Sequence, residues 1–196
     1  VADILDLLAD AHLKLCEGQG AELLWRDAGD KALTPADALE IYALKTSPAF
    51  EAALLSGLRL AGSVEEYVAP IQEYARQLGV AFQILNDLGD WRGDDHNKLL
   101  AAGDVTGGRP TVLWALALEG LNDADRAELK KISGGLIDHA SVERIRQLYE
   151  RAGVFARADQ LVQDGRRAAQ AVADAINPPE LRRLLRYLID TVLDGR

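Results

Sequence analysis

The chain has 196 residues, of which 48% are hydrophobic, so it can bury a sizeable core and is neither disordered nor collagen-like. Its 31 acidic and 22 basic residues give a net charge of −9, which argues against a nucleic-acid partner, because proteins that bind phosphate backbones carry basic surfaces. A single cysteine excludes an internal disulfide and indicates a cytoplasmic location, and no apolar run is long enough to predict a membrane span.

Apolar residues recur at helical spacing along nearly the whole chain, and strand-like alternation is absent, which predicts an all-α protein. The predicted helices, in chain order, cover residues 2–25, 35–46, 50–60, 64–91, 110–119, 122–132, 141–151, 154–176 and 179–193. We expect an interruption near Gly18 and Gly20, a break or kink at Pro48, and mostly loop over residues 92–108. The chain has no methionine and begins inside a helical pattern, which indicates a processed chain or a piece of a longer protein.

The fourth predicted helix carries oxygen ligands beside its apolar stripe. At about 100° per residue, Gln83, Asn86, Asp90 and Asp94 fall within roughly 80° of one another if the helix continues that far, with Asp87 at the border. Such oxygens suit Mg²⁺, which binds one or two carboxylates together with substrate phosphates. The alternative is a solvated acidic face near a helix end. The neighbouring apolar stripe and the glycine-bearing segment that follows weaken that alternative.

Two cationic positions are candidates for phosphate binding. Arg109 lies in a glycine-rich segment that precedes a predicted helix, and its guanidinium can bind phosphate with two parallel hydrogen bonds. Lys45 lies in a mostly apolar helix just before Pro48. A plain connecting loop and a surface lysine whose stem covers apolar residues are the alternative interpretations.

Five segments, taken together, resemble a known family. They are, in order, residues 17–22 (EGQGAE), 42–46 (YALKT), 79–90 (GVAFQILNDLGD), 93–94 (GD) and 108–111 (GRPT). As an ordered set they resemble the C-terminal half of a trans-isoprenyl diphosphate synthase, a member of the polyprenyl synthetase family. The resemblance covers about residues 17–120, and beyond that range the chain reads only as generic helix.

The resemblance implies the all-α isoprenoid-synthase-type helical bundle, with residues 1–196 forming a single domain that is only its C-terminal portion. It also implies a prenyltransferase that condenses an allylic diphosphate with isopentenyl diphosphate to a longer linear isoprenyl diphosphate, using Mg²⁺ held by two Asp-rich motifs. The implied protein partner is a second copy in a homodimer, or the N-terminal half of the bundle. The first Asp-rich motif is absent and expected upstream of Val1, so we expect the chain alone to be inactive.

The resemblance gives each matching residue a role. The catalytic residues would be Lys45, Thr46 and Gln83. The residues that bind the substrate diphosphate would be Lys45, Lys98, Arg109 and Gln19. The metal ligands would be Asn86, Asp87, Asp90 and Asp94, where Asn86 replaces the aspartate that usually opens the second motif. We expect Asp87 and Asp90 to face a pyrophosphate-sized hollow across from Lys45 and Arg109.

Three other functions stay open: a non-catalytic or partner-dependent half-bundle of the same family, a terpene-cyclase-like enzyme on the same fold, which Asn86 suggests, and an unrelated helical interaction module. Cys16 is expected in the core because it lies among apolar helix residues. Trp25, Trp91 and Trp114 are expected to be packing anchors.

Overall fold

Every regular element in the described part of the chain is helical, which confirms the predicted all-α class. The computed structural model describes residues 2–29, 31–92 and 103–194. Its helices are α1 (Ala2–Asp27), α2 (Pro35–Ala61), α3 (Val68–Arg92), α4 (Gly103–Thr106), α5 (Val112–Gly120), α6 (Asp123–Ser133), α7 (His139–Arg151), α8 (Val154–Ala175) and α9 (Pro179–Asp194), and a short 3₁₀ turn at Glu65–Tyr67 precedes α3. None of these helices is long and apolar enough to cross a lipid bilayer.

Side-chain caps fix where several helices begin. At the start of α2, Thr34 donates its hydroxyl to Asp37, and the Asp37 amide donates back to the Thr34 hydroxyl over 3.2 Å. Asn122 accepts from the Asp125 amide ahead of α6, and Asp138 accepts from the Ser141 amide ahead of α7. Each cap satisfies amides that have no partner within the first turn of a helix, which is why polar residues stand at these boundaries.

Two expected interruptions do not occur. α1 is continuous through Gly18 and Gly20, and α2 runs through Pro48 to Ala61, so the predicted break at Pro48 was wrong. The expected loop over residues 92–108 contains the short helix α4, while residues 93–102 lie outside the described part of the chain.

Close packing beside Pro48 explains why α2 continues. A Cβ atom placed on Gly18 of α1 would lie 2.7 Å from the Lys45 amide nitrogen, and one on Gly79 of α3 would lie 2.9 Å from the Ser47 Cα atom. Both neighbouring helices therefore contact the α2 backbone directly within the turn before the proline. This tertiary packing offsets the hydrogen bond that proline removes from a helix interior.

The chain divides into two compact units. The first contains residues 1–20, 41–83 and 161–196, and the second contains residues 21–40 and 84–160. The core of the first unit includes Tyr74, which is fully buried and donates its hydroxyl to the Leu185 carbonyl over 2.7 Å. The core of the second unit is built on α5, in which residues 112–118 are all buried.

The tryptophans pack as expected, but the cysteine does not. Trp25 and Trp114 form an edge-to-face pair with ring centroids 6.4 Å apart, and Trp91 lies 5.0 Å from the Tyr149 ring. Cys16 is exposed, so its predicted core position was wrong. The sequence did not reveal this exposure, because α1 carries leucines on several faces and its apolar pattern does not single out one buried side.

Candidate functional site

Two of the predicted catalytic residues are in contact in the first unit. The Thr46 hydroxyl of α2 donates to the Gln83 side-chain oxygen of α3 over 3.2 Å, although the two residues are 37 positions apart. Lys45 precedes Thr46 on α2 and is half-buried, and Gln19 is exposed on α1 directly after Gly18. Because Gly18 contacts the Lys45 backbone, these four predicted residues come from helix segments that pack against one another in this unit.

Three of the four predicted metal ligands, Asn86, Asp87 and Asp90, lie on the last turns of α3, which belong to the second unit. Asp87 is almost completely buried, while Asn86 and Asp90 are half-buried. The Asp90 carboxylate accepts a hydrogen bond from the Asp104 amide over 3.0 Å. This contact ties the acidic end of α3 to the first turn of α4.

Asp104 is a residue that sequence reasoning missed. Its carboxylate accepts from the Arg109 guanidinium over 3.0 Å, while its amide donates to Asp90. Burial raises the pKa of Asp104, the charges of Asp90 and Glu22 raise it further, and Arg109 opposes that rise. Nothing in the sequence separates this aspartate from the other polar residues of its glycine-rich segment.

Arg109, predicted to bind diphosphate, forms one side of this cluster. Its side chain is 59% exposed and forms an ion pair with Asp104. The backbone just before Arg109 requires glycine, because Gly108 has a φ of +62°, a conformation that residues with a Cβ atom rarely adopt. The guanidinium is therefore fixed at one end by a carboxylate and presents most of its surface to solvent.

Tyr149 on α7 is a second residue that the sequence did not reveal. Its side chain is fully buried, and among the described residues its hydroxyl has no hydrogen-bond partner. Burial raises the pKa of the Tyr149 phenol, and the charges of Asp87 and Asp104 raise it further. Its position on the buried face of α7 is typical of an ordinary core aromatic, so the sequence carries no signal for it.

The donor set fits magnesium in its chemistry. Asn86, Asp87 and Asp90 supply hard oxygen atoms, and Asp104, a further carboxylate, lies beside Asp90 at the start of α4. In the described ranges, no three carboxylate, imidazole or thiol side chains are grouped closely enough to hold a metal by themselves. Mg²⁺ usually keeps several water ligands and binds through one or two carboxylates together with substrate phosphates.

Two predicted site residues cannot be placed. Asp94, a predicted metal ligand, and Lys98, a predicted diphosphate ligand, both lie outside the described residues. Their roles stay predictions.

Comparison with known proteins identifies a family match and similar proteins. Residues 1–152 match the model of a family described as polyprenyl synthetase. A short chain isoprenyl diphosphate synthase of Methanothermobacter thermautotrophicus is 28% identical over 195 residues, which are 99% of this chain and 59% of that protein. The chain therefore spans about three fifths of the length of that relative.

Two solved structures extend the likeness to three dimensions. The geranylgeranyl pyrophosphate synthetase of Pyrococcus horikoshii has a TM-score of 0.86 at 25% identity, covering 98% of this chain and 58% of that one. A polyprenyl synthase of Caulobacter crescentus, complexed with calcium and isoprenyl diphosphate, has a TM-score of 0.85 at 26% identity, covering 98% of this chain and 59% of that one.

Proposed function

We propose, from the premise that this chain belongs to the polyprenyl synthetase family, that the complete protein condenses an allylic diphosphate with isopentenyl diphosphate to a longer linear isoprenyl diphosphate. The fold is the all-α isoprenoid-synthase type, as the sequence resemblance implied. Two relatives are isoprenyl or geranylgeranyl diphosphate synthases by name, and a third was solved with isoprenyl diphosphate. The activity is proposed for the complete protein, because this chain spans only 59% of the first of these relatives.

One observation supports this proposal above the others. Asp104 joins the acidic end of α3 to the arginine of the glycine-rich segment, through its amide to Asp90 and its carboxylate to Arg109. Two motifs that are separate in the sequence thereby contribute to one charged cluster. Oxygen ligands for a cation beside an exposed guanidinium are the groups that a diphosphate requires.

The chemistry follows from how the carbon–oxygen bond of an allylic diphosphate breaks. As this bond ionises, negative charge grows on the leaving diphosphate, and bound Mg²⁺ would supply positive charge there. We propose that Asn86, Asp87 and Asp90 hold the metal, together with Asp94, and that Arg109 binds diphosphate oxygens alongside Lys45, Lys98 and Gln19. The hydrogen bond between Thr46 and Gln83 would fix both polar groups near the reacting carbons.

Product analysis of the complete gene product tests the proposal. The protein is incubated with labelled isopentenyl diphosphate, an allylic diphosphate and MgCl₂, with an EDTA arm, and residues 1–196 alone are assayed in parallel. We expect a linear, longer diphosphate that forms only with both substrates and magnesium, and no product from the chain alone. A cyclic product formed without isopentenyl diphosphate would identify a terpene-cyclase-like enzyme. Absence of any turnover would identify a non-catalytic half-bundle.

The surface of α1 supports the proposal of a protein partner. Large apolar side chains are exposed along this helix, at Leu5, Leu8, Leu13 and Leu24. We propose that these leucines are covered either by a second copy in a homodimer or by the N-terminal half of the bundle. A cytoplasmic location is proposed on the basis of the single cysteine.

Arg109→Ala in the complete protein is expected to raise the KM for the diphosphate substrate at least about tenfold, because hydrogen bonds to a charged group contribute roughly 1.5–3 kcal/mol. Arg109→Lys keeps the charge and is expected to retain most of the affinity. Steady-state kinetics with varied substrate measures both. Arg183→Ala is the matched control, since Arg183 is exposed and pairs only within the surface of α9 through Glu180 in the described contacts. Equal KM values for wild type and Arg109→Ala would remove this arginine from the site.

A further inference from the structure

Tyr149 places a hydroxyl in the protein interior without a hydrogen-bond partner among the described residues. The side chain is fully buried, its ring lies 5.0 Å from Trp91 and 6.1 Å from Phe155, and its hydroxyl has no hydrogen-bond partner among the described residues. Phenylalanine would pack against the same aromatic rings without burying a hydroxyl. A buried polar group without a partner is destabilising, and such groups in folded proteins have a specific reason.

Tyr74 provides a comparison, because it is a buried core tyrosine whose hydroxyl does have a hydrogen-bond partner. Tyr74 is as completely buried as Tyr149, and its hydroxyl donates to the Leu185 carbonyl over 2.7 Å. The two tyrosines therefore differ in one respect: the hydroxyl of Tyr74 has a fixed protein acceptor and that of Tyr149 does not. The comparison points to a partner for Tyr149 outside the described protein atoms.

The packing of α7 against α3 indicates where that partner lies. The Tyr149 ring lies 5.0 Å from the Trp91 ring, and Arg146 of α7 donates to the Trp91 carbonyl over 2.8 Å. Trp91 follows Asp87 by four residues, so the two lie on the same side of α3. Asp87 is almost completely buried there, and its charge, like that of Asp104, raises the pKa of the Tyr149 phenol. Neither accepts a direct hydrogen bond from it. An ordered water can bridge a buried donor and a nearby buried carboxylate, because it accepts from the first group and donates to the second. Asp87 also lies between Asn86 and Asp90 in the proposed metal-binding set.

We propose that Tyr149 is a positioning residue of the cation site, whose hydroxyl donates through a bound water to the Asp87 carboxylate and orients that carboxylate toward a divalent cation. Groups that hydrogen-bond to metal ligands fix the ligand geometry, and their loss typically weakens metal binding by 10- to 100-fold. The inference rests on the proposed function, since it needs a cation at the end of α3.

The test compares Tyr149→Phe with Tyr74→Phe in the complete protein. Mn²⁺ affinity is measured by electron paramagnetic resonance in the presence of inorganic pyrophosphate, and stability by urea unfolding. We expect Tyr149→Phe to weaken Mn²⁺ binding about tenfold while the urea midpoint stays the same or rises. We expect the opposite for Tyr74→Phe, which loses a satisfied hydrogen bond: a lower urea midpoint and unchanged Mn²⁺ affinity.

Each other outcome overturns the inference in a recognisable way. Equal Mn²⁺ affinity of wild type and Tyr149→Phe would refute the role of Tyr149 and leave the proposed function intact. A fall in both affinity and urea midpoint for Tyr149→Phe would assign the hydroxyl a merely structural role. No Mn²⁺ binding by the wild type, with or without pyrophosphate, would overturn the inference and the proposed function together.

Discussion

The complete protein carrying Asp90→Ala is expected to lose at least about 100-fold of its magnesium-dependent turnover while remaining folded, since removing one group that stabilises transition-state charge commonly has an effect of this size. Asp90 is half-buried on the last turn of α3 and accepts from the Asp104 amide. Alanine removes one proposed metal oxygen and leaves the helix intact, because alanine has a higher helix propensity than aspartate. Turnover with varied magnesium, together with thermal unfolding, measures both effects.

Two further variants separate the charge of Asp90 from its structural contact. Asp90→Asn keeps an acceptor for the Asp104 amide and loses the negative charge, so it is expected to behave like the alanine variant in turnover. Asp164→Ala removes an exposed carboxylate from the surface of α8 and is expected to leave turnover unchanged. Turnover in Asp90→Ala that matches Asp164→Ala would show that Asp90 is not a metal ligand.

Gly18→Ala is expected to destabilise the chain by about 2 kcal/mol, which is within the range for overpacked interiors. The added Cβ atom would lie 2.7 Å from the Lys45 nitrogen and 2.8 Å from the Leu44 carbonyl carbon. Both are backbone atoms of α2, which cannot move aside as the end of a flexible side chain can. The two helices would have to separate at the position of Lys45. Chemical denaturation monitored by circular dichroism gives the change in unfolding free energy.

Gly20→Ala provides a matched control two residues away on the same helix. A Cβ atom on Gly20 meets no other atom within 4 Å. This substitution is therefore expected to raise the free energy of unfolding by about 1 kcal/mol or less, through helix propensity alone. The two variants should therefore change stability in opposite directions. Stabilisation by both would show that the close approach at Gly18 is not as the structure describes.

Local sequence signals predicted most of the helices correctly because caps and glycine turns act within a few residues. The sequence predicted a helix that begins at residue 35, and the structure shows the reciprocal hydrogen bonds between Thr34 and Asp37 that fix that boundary. Pro48 was misread because its local effect is offset by packing against residues distant in the sequence. No local pattern records how closely Gly18 and Gly79 approach the α2 backbone.

The site was predicted in part, for the same reason. The contact between Thr46 and Gln83 joins two residues that the resemblance had already selected. Asp104 and Tyr149 gave no signal, since their importance comes from neighbours that only the folded chain provides. The single domain over residues 1–196, and the placement of Asp87 and Asp90 across a hollow from Lys45 and Arg109, stay predictions.

The exposure of Cys16 makes this protein unusually easy to probe chemically. It is the single cysteine of the chain, and it lies on α1, the helix that also exposes Leu8 and Leu13. A maleimide fluorophore would therefore label residues 1–196 at one known position, with no cysteine to remove first. A slower labelling rate after a second polypeptide is added would report directly that it shields this part of α1.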